Sequence, residues 1–224
     1  IDDIISSGIT DTQSIIDSVI RLYLPGLDIK YNAPEFGCSA FSTGDTRGHV
    51  LTGRNYDFKN DTSAILVHCR PAKGYESVAT AALDNIGMNA PEDERRAALA
   101  NIAAPFICLD GLNEKGVSIA VLTLDSEPTF QRTGKPVIAT TLAIRLVLDR
   151  AATTQEAVDI LKQYDMMASS GRDYHFYIND ASGDGRAVEY DCNSSTRELV
   201  DTPIRSITNF FAMYKDKVKP HQHN

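Results

Sequence analysis

Four cysteines spread over 224 residues are too sparse for a disulfide scaffold. None forms a C-x-x-C pair, which removes zinc ribbons and thioredoxin-like redox sites. No histidine sits in H-E-x-x-H or another metal spacing, and His221-x-His223 falls at the chain end, where a solvated tail is expected. There is no G-x-S-x-G nucleophile elbow. Gly183-Asp184-Gly185 lacks the third glycine and the following helix of a dinucleotide fingerprint, so it reads as a hairpin turn. No apolar run approaches the ~18 residues of a membrane span. Positive charge is also scarce: 22 Lys+Arg against 30 Asp+Glu leave a net charge of −8, without the concentrated basic surface that phosphate binding needs. The expectation is therefore no membrane span, no nucleic-acid partner and no cofactor or metal. The sequence opens on Ile1 with neither an initiator Met nor a signal-peptide pattern, so it is expected not to begin where its gene does. Neither a cytoplasmic nor an exported location is selected, and self-association is left open.

What is present is apolar material for a core, 42% hydrophobic with 23% charged residues. Asp11 to Leu24 carries Ile15, Ile16, Val19, Ile20, Tyr23 and Leu24 near helical period, with Thr10 or Asp11 as cap and Pro25-Gly26 as stop. Gly37 to Phe58 reads as a hairpin around a polar Gly44–Gly48 turn. Further strands are expected over Ala64–Arg70, Glu76–Leu83 and, around the turn Asn113–Gly116, over Leu109–Leu124. A helix is expected over Asn89–Ala104, and two more over Ile138–Asp149 and Thr154–Tyr164. Strands His175–Ile178, Arg186–Asp191, Arg197–Val200 and Ser206–Asn209 complete the order. Many antiparallel strands around a helical pair predict an α+β fold, with helices packed on stacked sheets and no repeat or linker. Cys69, Cys108 and Cys192 read as structural, in or beside apolar runs.

The chemistry points to Cys38. A thiol nucleophile needs a cation to favour its thiolate and a partner within hydrogen-bond reach. Arg54 and Asp57 follow Cys38 by 16 and 19 positions, so a tight hairpin can bring both beside it. From the residues alone, a hairpin with a stray cysteine and a surface Arg–Asp pair fits as well.

Phe36-Gly37-Cys38-Ser39 followed by Gly53-Arg54-Asn55-Tyr56-Asp57-Phe58 resembles the N-terminal-nucleophile cysteine hydrolases of the choloylglycine hydrolase and penicillin V acylase group, with the related acyltransferase and acid ceramidase-like amidases. The likeness continues through Gly111–Val117, Leu146–Asp149 with Thr154–Ala157, Asp180–Asp184 and Ile207–Phe211. It implies a four-layered αββα sandwich that hydrolyses linear, non-peptide amides of small molecules. Cys38 would be the nucleophile. Its own α-amino group, freed by self-cleavage at Gly37-Cys38, would be the general base; such a group has an unperturbed pKa of about 7.7–8.0. Arg54 would stabilise the thiolate and Asp57 would hold the new amino terminus. Asn209 would donate to the oxyanion, and Thr123, ten positions after Asn113, would supply a second contact through its backbone N–H.

The same residues admit plainer roles: Asn209 as an edge-strand amide, Thr123 as a strand threonine, Tyr56 as pocket lining or core, Asn113 as a turn residue. Residues 1–37 would form a helical prosegment and 38–224 the hydrolase domain. That domain is expected to continue past Asn224, because an arginine the family carries after the Thr-Asn segment has no match following Arg205. An acyltransferase with the same acyl-cysteine intermediate and a non-catalytic descendant are the alternatives.

Overall fold

The computed structural model describes residues 1–32, 37–57, 63–87, 98 and 101–217, with backbone alone at 215–217. A short helix α1 (Asp2–Ser6) leads to α2 (Thr12–Tyr23), which Asp11 caps by accepting the Ser14 N–H at 2.9 Å. Ile15, Ile16 and Ile20 on one stripe of α2, and Ile29 beyond it, are buried in the main core. Gln13 clamps the returning chain: its amide oxygen accepts the Tyr31 N–H at 2.6 Å and its amide nitrogen donates to the Ile29 carbonyl at 2.8 Å.

Strands β1 (Gly37–Gly44) and β2 (Val50–Asp57) pair without a bulge, from Gly37 opposite Asp57 to Gly44 opposite Val50. Asp45 closes the turn by accepting the N–H groups of Arg47 and His49. β3 (Ala64–Cys69), β4 (Ser77–Ala82), β5 (Cys108–Asn113) and β6 (Ser118–Leu124) follow as an antiparallel meander. The helix expected over Asn89–Ala104 falls largely outside the described residues. Its described end belongs to a 3-10 turn, Asn101–Phe106, in which Pro105 offers no N–H to extend an α-helix.

A short strand β7 (Val137–Ala139) runs into α3 (Thr140–Arg150), then come α4 (Thr154–Leu161) and β8 (Asp165–Met167), which pairs parallel with β7. β9 (Asp173–Asn179), β10 (Gly185–Tyr190), β11 (Leu199–Pro203) and β12 (Ser206–Ile207) complete the order. Arg197, expected to open a strand, has φ of 50° and hydrogen-bonds back to the Ser194 carbonyl, so it closes a turn and β11 starts two residues later. β12 stops at Ile207, which leaves Asn209 in a bend rather than on a strand.

The strands form an antiparallel seven-stranded sheet, β11-β10-β9-β6-β5-β4-β3, and a three-stranded one, β12-β1-β2. α3 lies on β5 and β6, and α4 on β9 and β10. α3 approaches so closely that a side chain at Gly111 would sit 2.6 Å from Leu148 Cδ1. β1 packs on β6 and β9 from the other face. Polar pairs pin the two sheets together: Ser42 Oγ lies 2.7 Å from the Tyr177 hydroxyl, and Asn179 Nδ2 donates to Thr52 Oγ1 at 2.8 Å. This is the expected α+β class, and the described residues supply three of the four layers: helices, large sheet and small sheet. On the outer face of the small sheet, Phe41 and Leu51 are half exposed. Among the described residues no helix is long and apolar enough to cross a membrane.

Candidate active site

The hairpin's alternation sends Cys38, Ala40 and Ser42 inward, all buried, while Phe41 and Thr43 face out. Cys38 stands opposite Tyr56 and Ala40 opposite Arg54, so Arg54 lies diagonal to Cys38 on the inner face. Its Nη2 donates to Cys38 Sγ at 3.2 Å and to the Val121 carbonyl at 3.3 Å. The guanidinium carbon sits 4.9 Å from the centre of the Tyr56 ring, a cation–π contact. On the outer face the Phe41 ring covers Gly53; a side chain there would come within 2.4 Å of the ring, which accounts for the glycine beside Arg54.

Cys38 is 3% exposed. Burial pushes its thiol up to about 11, against the Arg54 guanidinium and a main-chain hydrogen bond from Thr123, while the carboxylates of Asp57 and Asp110 add to the rise. The thiol is therefore protonated at neutral pH.

Asn209 joins the remaining parts. Its Oδ1 accepts the Cys38 N–H at 2.7 Å, and its Nδ2 donates to the Thr123 carbonyl at 2.8 Å and Thr123 Oγ1 at 3.0 Å. Both Nδ2 hydrogens are thus engaged by Thr123. The bend is anchored on both sides: β12 pairs with β1, and the fully buried Glu189 accepts the N–H groups of Ala212 and Met213 at 2.7 and 2.8 Å. His175, equally buried, faces Glu189 with Nδ1 3.0 Å away. Asp57 is opposite Gly37, on the other face of the hairpin from the thiol; a side chain at Gly37 would lie 3.6 Å from Asp57 Oδ2 and 3.8 Å from Asn209 Oδ1.

Cys38, Arg54, Thr123 and Asn209 are thus directly connected, and Asp57 stands beside the Gly37-Cys38 peptide. Sequence reasoning missed Asp110, whose Oδ2 is 3.4 Å from Arg54 Nε. The available signal was its position just before Gly111-Leu112-Asn113-Glu114, one residue outside the stretch that stood out. Asn113 is a turn residue, as expected. Its Oδ1 accepts the Lys115 and Val117 N–H groups, and its Nδ2 reaches the carbonyls of Leu148 and Ala151 at the end of α3.

A cavity of about 390 Å³ opens beside Thr123 and Asn209, with Asp125 and Arg172 in its wall. A larger groove of about 680 Å³, walled by Leu66, Val78 and Leu112, reaches Arg54 and Asp110 but not Cys38. Cys38 lines neither; the smaller cavity meets the site at Thr123 and Asn209, the larger at Arg54 and Asp110. Among the described residues no group of His, Cys, Asp or Glu could hold a metal ion.

Two stacked antiparallel sheets with a helical layer, and a cysteine one residue into the first strand of the small sheet, have the architecture of the N-terminal-nucleophile hydrolases. The chain belongs to the linear amide C–N hydrolases of the choloylglycine hydrolase family, whose sequence profile matches residues 38–210, starting at Cys38. Among solved structures it is similar to penicillin V acylase from Agrobacterium tumefaciens, at 20% identity and a TM-score of 0.55, covering 80% of this chain and 55% of that one. Two variants of conjugated bile acid hydrolase from Clostridium perfringens match at 17% identity and a TM-score of 0.55, each over 80% of this chain. These likenesses establish the fold, and the chain spans about 55% of those proteins' length. No curated protein matches the chain.

Proposed function

We propose that the protein hydrolyses linear C–N amides of N-acyl, conjugated bile-acid or penicillin V type through Cys38, after freeing Cys38 as an amino terminus. The observation that carries this reading is that Cys38 is held at both ends, its nitrogen by Asn209 and its sulfur by Arg54.

Maturation begins when the Cys38 thiol adds to the Gly37 carbonyl, forming an S–C bond. The C–N bond then breaks, the nitrogen takes up the thiol's proton and becomes an amine, and water hydrolyses the thioester to a Gly37 carboxylate and a free thiol. Asp57, beside Gly37, would hold the new ammonium group. In turnover the α-amino group accepts the thiol proton as sulfur attacks the substrate carbonyl and passes it to the departing amine. Water then releases the acid from the acyl-thioester. The Thr123 main chain, which hydrogen-bonds the Cys38 sulfur, would donate to the oxyanion as the sulfur engages the substrate. Asn209 Nδ2 can join it by releasing one Thr123 contact; losing one such donor typically costs about 2.7–4 kcal/mol of transition-state stabilisation. The cavity along Thr123 and Asn209 would take the substrate amide.

Intact mass tests maturation: loss of the segment ending at Gly37 is expected, and Cys38→Ala should block both that loss and amide hydrolysis. Release of free amine from a panel of penicillin V, glycine-conjugated bile acids and N-acyl amino acids identifies the substrate. Transfer to an added amine in place of water would mark an acyltransferase. A chain still whole after prolonged incubation, with Cys38 unreactive toward iodoacetamide, is the outcome of a non-catalytic descendant and would sink the proposal.

A further inference from the structure

Resting on the reading of Cys38 as nucleophile, we propose that Asp110 is a positioning residue whose carboxylate fixes the Arg54 guanidinium in the orientation that brings Nη2 against the Cys38 sulfur. Asp110 lies on β5 opposite Ala120 of β6, next to the irregularity at Thr80 and Ala81 in the pairing of β4 with β5. Its Oδ2 is 3.4 Å from Arg54 Nε, an ion-pair separation without hydrogen-bond alignment, so the attraction acts through charge. Nε and Nη2 share one edge of the planar guanidinium. A carboxylate at Nε therefore settles where Nη2 points, and Nη2 is the atom 3.2 Å from Cys38 Sγ.

Among the described residues, the other supports of Arg54 are uncharged: the Val121 carbonyl and the face of the Tyr56 ring. Arg54 and Asp110 are 10% and 20% exposed, so water screens their attraction less than it would a surface pair. The charged and titratable groups whose fields reach the thiol are Arg54, Tyr56 and, from the opposite face of the hairpin, Asp57 on β2, together with Asp110 on β5.

Removing the Asp110 charge has two opposite consequences, and their sign separates the roles. A carboxylate that merely repels the thiolate would, once neutralised, make Cys38 more reactive. A carboxylate that holds Arg54 in place would, once neutralised, release the guanidinium and make Cys38 less reactive. The test is the rate at which methyl methanethiosulfonate modifies Cys38, followed by mass of the Cys38 peptide across neutral to alkaline pH. Asp110→Asn is expected to slow modification about tenfold, the equivalent of one pKa unit. Asp110→Glu, which keeps the charge, should recover most of the rate. In an Arg54→Met background the Asn substitution should add no further slowing, because the pair acts as one unit.

Faster or unchanged modification in Asp110→Asn, or the same slowing with Arg54 already gone, would overturn the proposal. Asp110→Ala is read in the same way should Asp110→Asn fail to accumulate. None of these readings requires cleavage or amide hydrolysis, so inactivity of the unmodified protein toward both would count against the hydrolase reading and leave the role of Asp110 separately decided.

Discussion

Replacing Arg54 by methionine asks how much of the Cys38 chemistry depends on one cation. Methionine keeps an unbranched side chain in the space beside Tyr56 and removes the charge. With Nη2 3.2 Å from Sγ and Arg54 10% exposed, the guanidinium is close and poorly screened. An opposite charge at such range lowers an acid's pKa by about 1–3 units, or roughly 1.4–4 kcal/mol in favour of the thiolate. The Cys38 thiol already stands at about 11 with Arg54 present. Without it the pKa climbs further, and the thiolate at a given pH below 11 falls by about 10- to 1000-fold.

The sign with pH follows from the same acid. Below its pKa the thiolate fraction rises about tenfold per pH unit, so self-cleavage in the unmodified chain should quicken with that slope as pH increases. The Arg54→Met line should run parallel and lower, and Arg54→Lys should lie between them, since an ammonium restores charge but not the planar fork. A time course of intact mass across neutral to mildly alkaline pH reads all three. Arg54→Met cleaving within about threefold of the unmodified chain would contradict a shift of even one unit and refute the electrostatic role.

Ile16→Ala in α2 should cost about 2–5 kcal/mol, because the side chain is fully buried in the main core. In a cleaved sample it should also loosen the piece 1–37, seen as its loss on gel filtration; co-elution at unmodified stability would argue against a shared core. Asp165 is 1% exposed and accepts hydrogen bonds from Thr133 N and Oγ1, Gly134 N and Lys135 N. Burial, the largest influence, raises its pKa, but these donors together outweigh it and hold the carboxyl below its ordinary value. The resulting stability is present above the unfolded pKa near 3.9 and lost as pH falls through the folded one. Asp165→Asn should therefore cost about 1.5–3 kcal/mol at neutral pH, with the deficit shrinking below about pH 3.9 in thermal denaturation. A deficit independent of pH would refute this.

The strand pair around Asn113–Gly116 and the helices α2 and α4 were legible because each carries its own punctuation: Asp11 and Thr153 as caps, Pro25-Gly26 as stop, Gly116 in a left-handed turn. The connection of Cys38 to Arg54 was legible because two-residue periodicity fixes which hairpin residues share a face. What lay beyond reach depends on pairings between distant strands. Nothing local tells that Asp110 of β5 meets Arg54 of β2, since the two belong to different sheets. The parallel pairing of β7 with β8 likewise joins segments with two helices between them. Arg197 was expected in a strand because its neighbours suit one, and its positive φ is visible only once the turn from Ser194 is closed.

The packing of α2 has a consequence for stability if the chain is cleaved as proposed. Thr12 Oγ1 lies within 3.0 Å of both Thr141 Oγ1 and Ser169 Oγ, and the isoleucines of this segment share the main core. While Gly37 and Cys38 are joined, refolding is a first-order search within one chain. If the proposed cleavage parts them, the same native state could be rebuilt only by collision of two molecules, so dilution that a single chain would survive would become an irreversible hazard. Self-processing would then act as a ratchet: the enzyme gains its amino terminus and forfeits its route back from the unfolded state.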